Sequence, residues 1–323
     1  MTVKASSVFR AACLAATFFV APAMAQSTGP ITLLVGYSAG GSADFAARVV
    51  APEIASRLGR TVVVENATGA SGMIALQKLI NGKADTNTMY YGGFDTVAVP
   101  LANKDVKVDW KSQTIPVSRT VVTSMAFAVL KESPYQDLPS FIAAAKADPA
   151  NLTYGTPGIA SAQHFLGEMV SSRAGVKLLH APYRGGAQVS NDLLGGILNS
   201  AVLTTSTALP FVQQDKIRVL FVSDTARSPQ MPNVPALGEV PGFEGLSLPL
   251  WQGIFVKSGT PDEFVKKLEG AIADGLKNPD AQKRYGDAGF VTSPLGGKPF
   301  QDFVQAQADA YQKIITDAKI TAE

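Results

Sequence analysis

The stretch that decides the fold reads ITLLVGYSAGGS, at residues 31–42. Its first five residues are all β-forming or apolar, which is typical of a strand buried on both faces of a parallel sheet. A glycine-rich turn follows, and a helix is predicted from Ser42 to Leu58, with Gly59 as its stop. A strand, a glycine-rich turn and a helix in this order are typical of α/β proteins.

The same order recurs further along the chain. The later loops read NATGASG at 66–72, GTPGIAS at 155–161 and YRGGA at 183–187, and each lies between a predicted strand and a predicted helix. Ligands of α/β proteins bind outside the carboxyl ends of the strands. Two such loops in each half of the chain therefore predict two α/β domains that face one another across a cleft.

The end of the chain is predicted to be helical, with a capping box (TPDE) at 260–263 and a helix over 298–318. These helices need a sheet to pack against, and the simplest candidate is the sheet formed by the first half of the chain. We therefore predict that domain 1 comprises residues 26–124 and 248–323, and that domain 2 comprises residues 125–247.

Composition and charge narrow the function classes. The 323 residues are 46% hydrophobic and 17% charged, with a formal net charge of +2. The apolar content excludes an intrinsically disordered chain, and the weak net charge argues against a nucleic-acid partner. A globular protein without nucleic-acid ligands is expected.

A secretory signal peptide is predicted at residues 1–25. Lys4 and Arg10 precede an apolar stretch at 11–20, and the small residues AMA that end at Ala25 match a signal-peptidase site. The apolar stretch is shorter than the roughly 20 residues of a membrane-spanning helix. We expect cleavage after Ala25 and a periplasmic mature protein.

The sequence predicts no metal site and no cofactor. The only cysteine, Cys13, lies in the predicted signal peptide, and the only histidines are His164 and His180. Without thiolates, and without an acidic pattern near the histidines, a zinc site is not expected.

The turn after the first strand allows two functional interpretations. Residues 36–40 (GYSAG) match the G-x-S-x-G pattern of serine hydrolases, with Ser38 as the nucleophile. A hydrolase of that class needs a histidine late in the chain, and none follows His180. An exported serine hydrolase therefore stays only as an alternative. The other interpretation is an anion site, because backbone amides at a helix start attract negative groups.

Further motifs occur in a characteristic order along the chain. They are GGSAD at 40–44, VEN at 64–66, GASG at 69–72, HAPYRGGA at 180–187, DLLGG at 192–196, MPNVP at 231–235 and WQG at 251–253. In this combination the sequence resembles the Bug (TctC-like) periplasmic solute-binding proteins of tripartite tricarboxylate transporters. The resemblance covers essentially the whole mature chain.

The resemblance implies a Venus-flytrap fold, in which two α/β domains close on a small carboxylate without catalysing a reaction. It implies that the loops after the first two strands hold one end of the ligand and that two loops of the second domain hold the other. The candidate ligand-binding residues are Tyr37, Ser38, Ala39, Gly40, Gly41, Gly69, Ala70, Ser71, Phe94, Gly158, Ser161, His164, Tyr183, Arg184, Gly185, Gly186, Ala187 and Asn199.

Two departures from the family pattern bear on the ligand. Gly36-Tyr37 stands where the family usually has Pro-Phe, and Asn199 stands where the family usually has an aspartate. Loss of an acid near the cleft predicts a more negative ligand. The rings of Tyr37 and Phe94 point to an aromatic carboxylate as one option among the di- and tricarboxylates.

The predicted function is capture of such a carboxylate by a monomeric protein and its delivery to the membrane subunits of a tripartite tricarboxylate transporter. The alternative is a ligand-sensing input protein whose partner is a sensor kinase. The flytrap presents the same closed shape in both roles, so the sequence does not separate them.

Overall fold

The computed structural model describes residues 1–2, 29–149 and 151–318. The predicted signal peptide, apart from its first two residues, lies outside these ranges, as does its cleavage site. Within them, no helix is both long and apolar enough to cross a membrane.

The strands and helices alternate through most of the chain. The strands are β1 (Ile31–Val35), β2 (Val62–Asn66), β3 (Thr88–Gly93), β4 (Thr114–Thr123), β5 (Met125–Leu130), β6 (Thr153–Thr156), β7 (Leu179–Pro182), β8 (Ser200–Thr204), β9 (Ile217–Val222), β10 (Leu250–Lys257) and β11 (Phe290–Gly296). The helices are α1 (Ser42–Leu58), α2 (Met73–Asn81), α3 (Phe94–Ala102), α4 (Trp110–Gln113), α5 (Leu138–Ala147), α6 (Ala162–Ala174), α7 (Gly186–Leu194), α8 (Thr205–Gln213), α9 (Asp262–Gly275), α10 (Pro279–Asp287) and α11 (Gly297–Ala318).

The described strands form two sheets, which organise two α/β lobes. The first sheet has the order β11-β4-β10-β3-β1-β2, and the second has the order β7-β6-β8-β5-β9. In each sheet three neighbouring strands run parallel, and the remaining pairs are antiparallel. The fold is thus the two-lobed α/β architecture that the sequence predicted.

The carboxyl ends of the parallel strands position the glycine-rich loops. Four of the five residues of β1 are buried, and α1 spans Ser42–Leu58 as predicted, with Gly59 in the left-handed conformation that ends it (φ 63°). Because β1, β2 and β3 are parallel neighbours, the loops after β1 and β2 and the start of α3 lie at one edge of the first sheet.

The chain passes between the two sheets at two places. Only Ser124 separates β4 of the first sheet from β5 of the second. The return runs from β9 to β10 through residues 223–249, an irregular segment that contains one short 3₁₀ turn at Leu237–Glu239.

The helix α11 packs against β4 and α3 of the first lobe and α6 of the second. Trp251 of β10 is buried there, and its indole Nε1 donates a hydrogen bond of 2.7 Å to the Tyr311 hydroxyl of α11. The ring of Phe94 lies 4.2 Å from that of Tyr311 and 5.0 Å from that of Phe165 on α6, centroid to centroid. An aromatic cluster therefore joins the two lobes behind the cleft.

The variant Tyr311→Phe is expected to lower the free energy of unfolding by about 1–3 kcal/mol, because it leaves the buried Trp251 indole N–H without an acceptor. Chemical denaturation followed by circular dichroism measures the change. Tyr135→Phe is the matched control, since the Tyr135 hydroxyl forms no hydrogen bond with a described residue. Equal destabilisation of the two variants would contradict this account of the aromatic cluster.

Candidate ligand site between the lobes

The loop after β1 touches the second lobe at Gly185. A Cβ atom built on Gly185 would lie 2.0 Å from the Ser38 Oγ and 3.1 Å from the Ser38 Cβ. A side chain at this position would force the Ser38 hydroxyl to turn away and would press on the Ser38 Cβ and backbone, so the contact favours glycine. The glycine-rich loop at 183–187 therefore allows a close approach of the two lobes.

The loop after β2 makes a second contact of this kind. A Cβ atom on Gly158 would lie 2.3 Å from the Ser71 Oγ, and the Ser71 hydroxyl donates a hydrogen bond to the Ile159 carbonyl. Ser71 and Ala70 both have positive φ angles, 50° and 47°. Residues other than glycine disfavour this backbone conformation, and strain of this kind is frequent at functional sites.

The four predicted loops thus meet in pairs across the cleft. The lobes touch again where the Thr205 hydroxyl donates to the Gly289 carbonyl (3.3 Å) and where the Gln230 side chain donates to the Gly286 carbonyl (2.8 Å). The described structure therefore has its two lobes in contact on several sides of the cleft.

A cavity of about 50 Å³, here called the inner cavity, lies between the lobes. This volume has room for roughly four water molecules, so the space suits a small ligand. Its lining consists of Tyr37, Gly41, Ser42, Ala43, Tyr90, Tyr91, Gly92, Gly93, Phe94, Asp95, Pro157, Gln163, Gly186, Val202, Leu203, Thr204, Thr207, Leu250, Trp251 and Gln252.

Several buried polar atoms at this cavity have no hydrogen-bond partner among the described residues. They are the Ser42 hydroxyl and the Gln252 Oε1, and the Ser38 hydroxyl in the adjacent contact is also unpaired. Buried polar atoms are almost always paired in folded proteins. A group of unpaired ones around one cavity indicates a place where a polar ligand or water completes the hydrogen bonding.

Helix N-termini from both lobes open onto the inner cavity. Ser42 and Ala43 begin α1 of the first lobe, while Gly186 begins α7 of the second. The first amides of a helix have no partner inside the helix, and the helix dipole makes this end positive. The inner cavity is therefore a favourable place for a negative group.

The amides of the predicted anion site need a correction. The Gly40 amide donates to the Asp44 Oδ2 (3.0 Å), and the Gly41 amide donates to the Ser38 carbonyl (3.3 Å). Asp44 therefore already supplies the negative group at this turn, and its burial is offset by Arg48 at 2.9 Å. The amides left to a ligand are those of Ser42 and Ala43, one step further along the chain.

Asp95 lies half-buried in the wall of the inner cavity. Its Oδ1 accepts a hydrogen bond of 3.3 Å from the Ala162 amide, which begins α6 of the opposite lobe. Burial raises the pKa of Asp95 to about 7, although the Tyr37 hydroxyl and the Ala162 amide act in the opposite direction. Burial likewise raises the pKa of Tyr37 well above its usual value, so this phenol keeps its proton.

A second depression, here called the outer groove, lies on the other side of Tyr37. It is lined by the predicted site residues Tyr37, Gly69, Ala70, Ser71, Gly158, Tyr183 and Arg184. The Tyr183 hydroxyl donates to Asp192 at 2.6 Å, whereas Arg184 is exposed. The predicted residues are therefore divided between two spaces, and the Tyr37 side chain, which lines both, stands between them.

Three predicted site residues lie away from the inner cavity and the outer groove. The Asn199 Oδ1 accepts from the Thr153 amide (2.9 Å) at the amino end of β6, the sheet edge opposite the cleft. The Ser161 hydroxyl caps α6 by accepting from the His164 amide (3.2 Å). The His164 Nδ1 accepts from the Ala160 amide (3.0 Å). All three side chains are used in holding the second lobe together.

The remaining predicted residues lie at the edges of these spaces. Gly40 lines a third depression between α1, α8 and α10, on the far side of its loop. Ala39 is exposed beside it, and Ala187 is half-buried in the first turn of α7. Phe94 lines the inner cavity but is fully buried in the aromatic cluster.

No histidine is placed to activate Ser38. His164 and His180 stack on one another with ring centroids 4.0 Å apart, and the His180 Nε2 forms a hydrogen bond of 2.6 Å with Thr156. Burial lowers the pKa values of His164 and His180 to about 4 and about 3. Ser38 therefore has no histidine beside it to serve as the general base that a serine hydrolase needs.

Several lining residues were not anticipated from the sequence. Asp95 follows GGF at the end of β3, which is the same strand, glycine pair and helix start that marked the other loops. Gln252 belongs to the WQG motif, but nothing in the sequence showed that its side chain faces the cleft. Thr204 caps the start of α8 and Thr207 lies in its first turn, and this helix start carries no glycine.

The fold and the cleft between its lobes are those of a two-lobed solute-binding protein. A family model described as "Tripartite tricarboxylate transporter family receptor", TctC, matches residues 46–320. The chain belongs to this family of periplasmic solute-binding receptors. It is accordingly a binding protein and not an enzyme.

Individual proteins agree with this assignment. A UPF0065 protein in the gbd 5' region of Cupriavidus necator is 33% identical over 263 residues, which is 80% of this chain and 79% of that protein. The periplasmic binding protein BugD has 26% identity and a TM-score of 0.87, covering 91% of this chain and 99% of BugD. The R. palustris protein Rpa4515, solved with adipate, has 26% identity and a TM-score of 0.85, with coverage of 91% and 99%.

The variant Gly185→Ala is expected to hold the lobes apart, because its Cβ occupies the position of the Ser38 side chain. Small-angle scattering should then give a larger radius of gyration than for the wild type. Gly270→Ala is the control, because a Cβ on Gly270 meets no atom within 4 Å. Gly185→Ala combined with Ser38→Gly should move back toward the wild-type dimension, and an unchanged radius in Gly185→Ala alone would rule out this contact.

Asp95 should make stability fall as the pH rises. The folded protein holds the Asp95 proton up to about pH 7, whereas the unfolded chain releases it near pH 4. Between these values the unfolded state binds fewer protons, so stability decreases with increasing pH. Asp95→Asn keeps an acceptor for the Ala162 amide. The Tm of this variant minus that of the wild type should therefore be larger at pH 8 than at pH 4.

Thermal melts of both proteins across this pH range measure the difference. The exposed Asp105→Asn is the control and should show no such trend, because the Asp105 carboxylate forms no ion pair with a described residue. A difference in Tm between Asp95→Asn and the wild type that stays constant from pH 4 to pH 8 would contradict the assignment.

Proposed function

We propose that the protein captures a small carboxylate in the inner cavity and delivers it, in the periplasm, to the membrane subunits of a tripartite tricarboxylate transporter. One observation carries the proposal. Unpaired hydroxyls of the first lobe and open helix N-termini of both lobes meet at one cavity, which matches the binding needs of a carboxylate. Family membership and the adipate bound by Rpa4515 support it.

The carboxylate is held chiefly by uncharged groups in this proposal. The amides of Ser42 and Ala43 face it from the first lobe, and the amide of Gly186 faces it from the second. The Ser42 hydroxyl, unpaired in the structure, donates a further hydrogen bond. Hydrogen bonds to a charged group are among the stronger ones, about 1.5–3 kcal/mol each.

Closure follows from this division of the contacts. The lobes rotate about the two crossings of the chain, so that residues 26–124 and 248–323 move against residues 125–247. The ligand meets donors from both lobes only when they approach, and it therefore favours the closed state. The membrane subunits recognise that closed state.

The size of the cavity favours a short aliphatic ligand over an aromatic one. About 50 Å³ is available, and the ring of Phe94 is already packed between Phe165 and Tyr311. The ring of Tyr37 separates the inner cavity from the outer groove, where it covers the bound ligand. Four other predicted residues affect binding indirectly, through the contact that closes the lobes: Gly69, Ala70, Ser71 and Gly158.

Isothermal titration calorimetry against mono-, di- and tricarboxylates tests the capture step. At least one carboxylate should bind to the wild type, and Gly185→Ala should weaken it by about tenfold or more, because the lobes no longer meet. The control variant Gly270→Ala should bind as the wild type does. Absence of binding by every carboxylate would refute the proposed function.

Delivery is tested with the transporter. The membrane subunits, reconstituted in liposomes, should take up the bound carboxylate only when the wild-type protein is added on the outside. Gly185→Ala should fail at equal ligand occupancy if the closed state is what the subunits recognise. Uptake at the same rate without the protein would refute delivery and leave capture in place.

A further inference from the structure

The inner cavity carries one acid and no base among its described lining residues. Asp95 is the charged residue of the lining, and neither lysine nor arginine contributes to it. A ligand with two or three carboxylates would have to place one of them against Asp95 or pack all of them at the opposite wall. Above about pH 7, where Asp95 has lost its proton, like charges that are held together away from water repel one another strongly.

The carboxyl group of Asp95 already occupies one of the positively polarised helix starts in the cleft. Its Oδ1 accepts from the Ala162 amide across the lobes (3.3 Å), and Ala162 begins α6. The start of α6 is thus supplied with a negative group by the protein itself. The starts of α1 and α7 remain for the ligand.

Gln252 adds a second acceptor on the same wall. It is only 7% exposed, it lines the cavity, and its Oε1 has no partner among the described residues. Gln252 of β10 is paired in register with Gly93, the last residue of β3, and Asp95 follows two residues later in the first turn of α3. An unpaired buried acceptor requires a donor.

We infer that the ligand presents a hydrogen-bond donor, an ammonium or a hydroxyl group, to Asp95 and Gln252 while its carboxylate lies at the starts of α1 and α7. Asp95 is then the residue that determines specificity, and the ligand is an amino- or hydroxycarboxylate. The inference rests on the proposed function. It reverses the expectation from Asn199 of a more negative ligand, because Asn199 lies at the far edge of its sheet.

Matched probes of four, five and six carbons test the inference by calorimetry at pH 8. At each length the set contains the dicarboxylate, the ω-amino acid, the ω-hydroxy acid and the plain monocarboxylate, for example succinate, 4-aminobutanoate, 4-hydroxybutanoate and butanoate. At the chain length that fits the cavity, the wild type should bind the amino or the hydroxy acid at least about tenfold more tightly than the dicarboxylate and the plain monocarboxylate. The amino and hydroxy members distinguish a cationic donor from a neutral one.

Asp95→Asn should reduce that preference to less than about threefold, because the amide is uncharged and offers a donor of its own. The exposed Asp215→Asn should keep the wild-type ranking. Gln252→Glu provides an independent variant and should increase the preference for the amino member, since it places a second acid on this wall. Melting curves verify that each variant is folded.

The outcomes separate the two proposals. Tighter binding of a dicarboxylate by the wild type would overturn the inference and leave capture of a carboxylate standing. A preference for the donor-bearing probe that is unchanged in Asp95→Asn would also overturn it. If none of the carboxylates binds, both the inference and the proposed function fail.

Discussion

The close approach of backbone to side chain at Gly185 and Gly158 is the constraint on which the site depends. Each glycine lies against a serine of the other lobe, at distances that leave no room for a Cβ atom. These contacts set how near the starts of α1 and α7 come to one another. The inner cavity has its present size because one partner in each of these two contacts is a glycine.

The sequence was sufficient to predict the fold class and its strand–loop–helix units at the glycine-rich loops, because the determining signals are local. The apolar run of β1, the helix stop at Gly59 and the glycine-rich loops each depend on a few neighbouring residues. The antiparallel strands β4, β10 and β11 carried no comparable local signal. They complete the first sheet by pairing with segments far away in the chain.

The site was harder to predict, for a physical reason. Amides were assigned to a ligand because they begin a helix, but those of Gly40 and Gly41 are used by Asp44 and Ser38 within the turn itself. Asn199 was predicted to lie at the ligand site, but the sequence motif does not show at which end of a strand this residue lies. Asp95 and Gln252 reach the cavity through strand register, which the sequence alone does not reveal.

The aromatic cluster behind the cleft has a bearing on the motion of the lobes. The rings of Phe94 and Phe165 belong to different lobes and lie 5.0 Å apart, so any rotation that separates α3 from α6 exposes apolar surface to water. The hydrophobic effect opposes that exposure. The receptor therefore carries a built-in bias toward the shut form, and its guest has to supply only the remainder of the driving force.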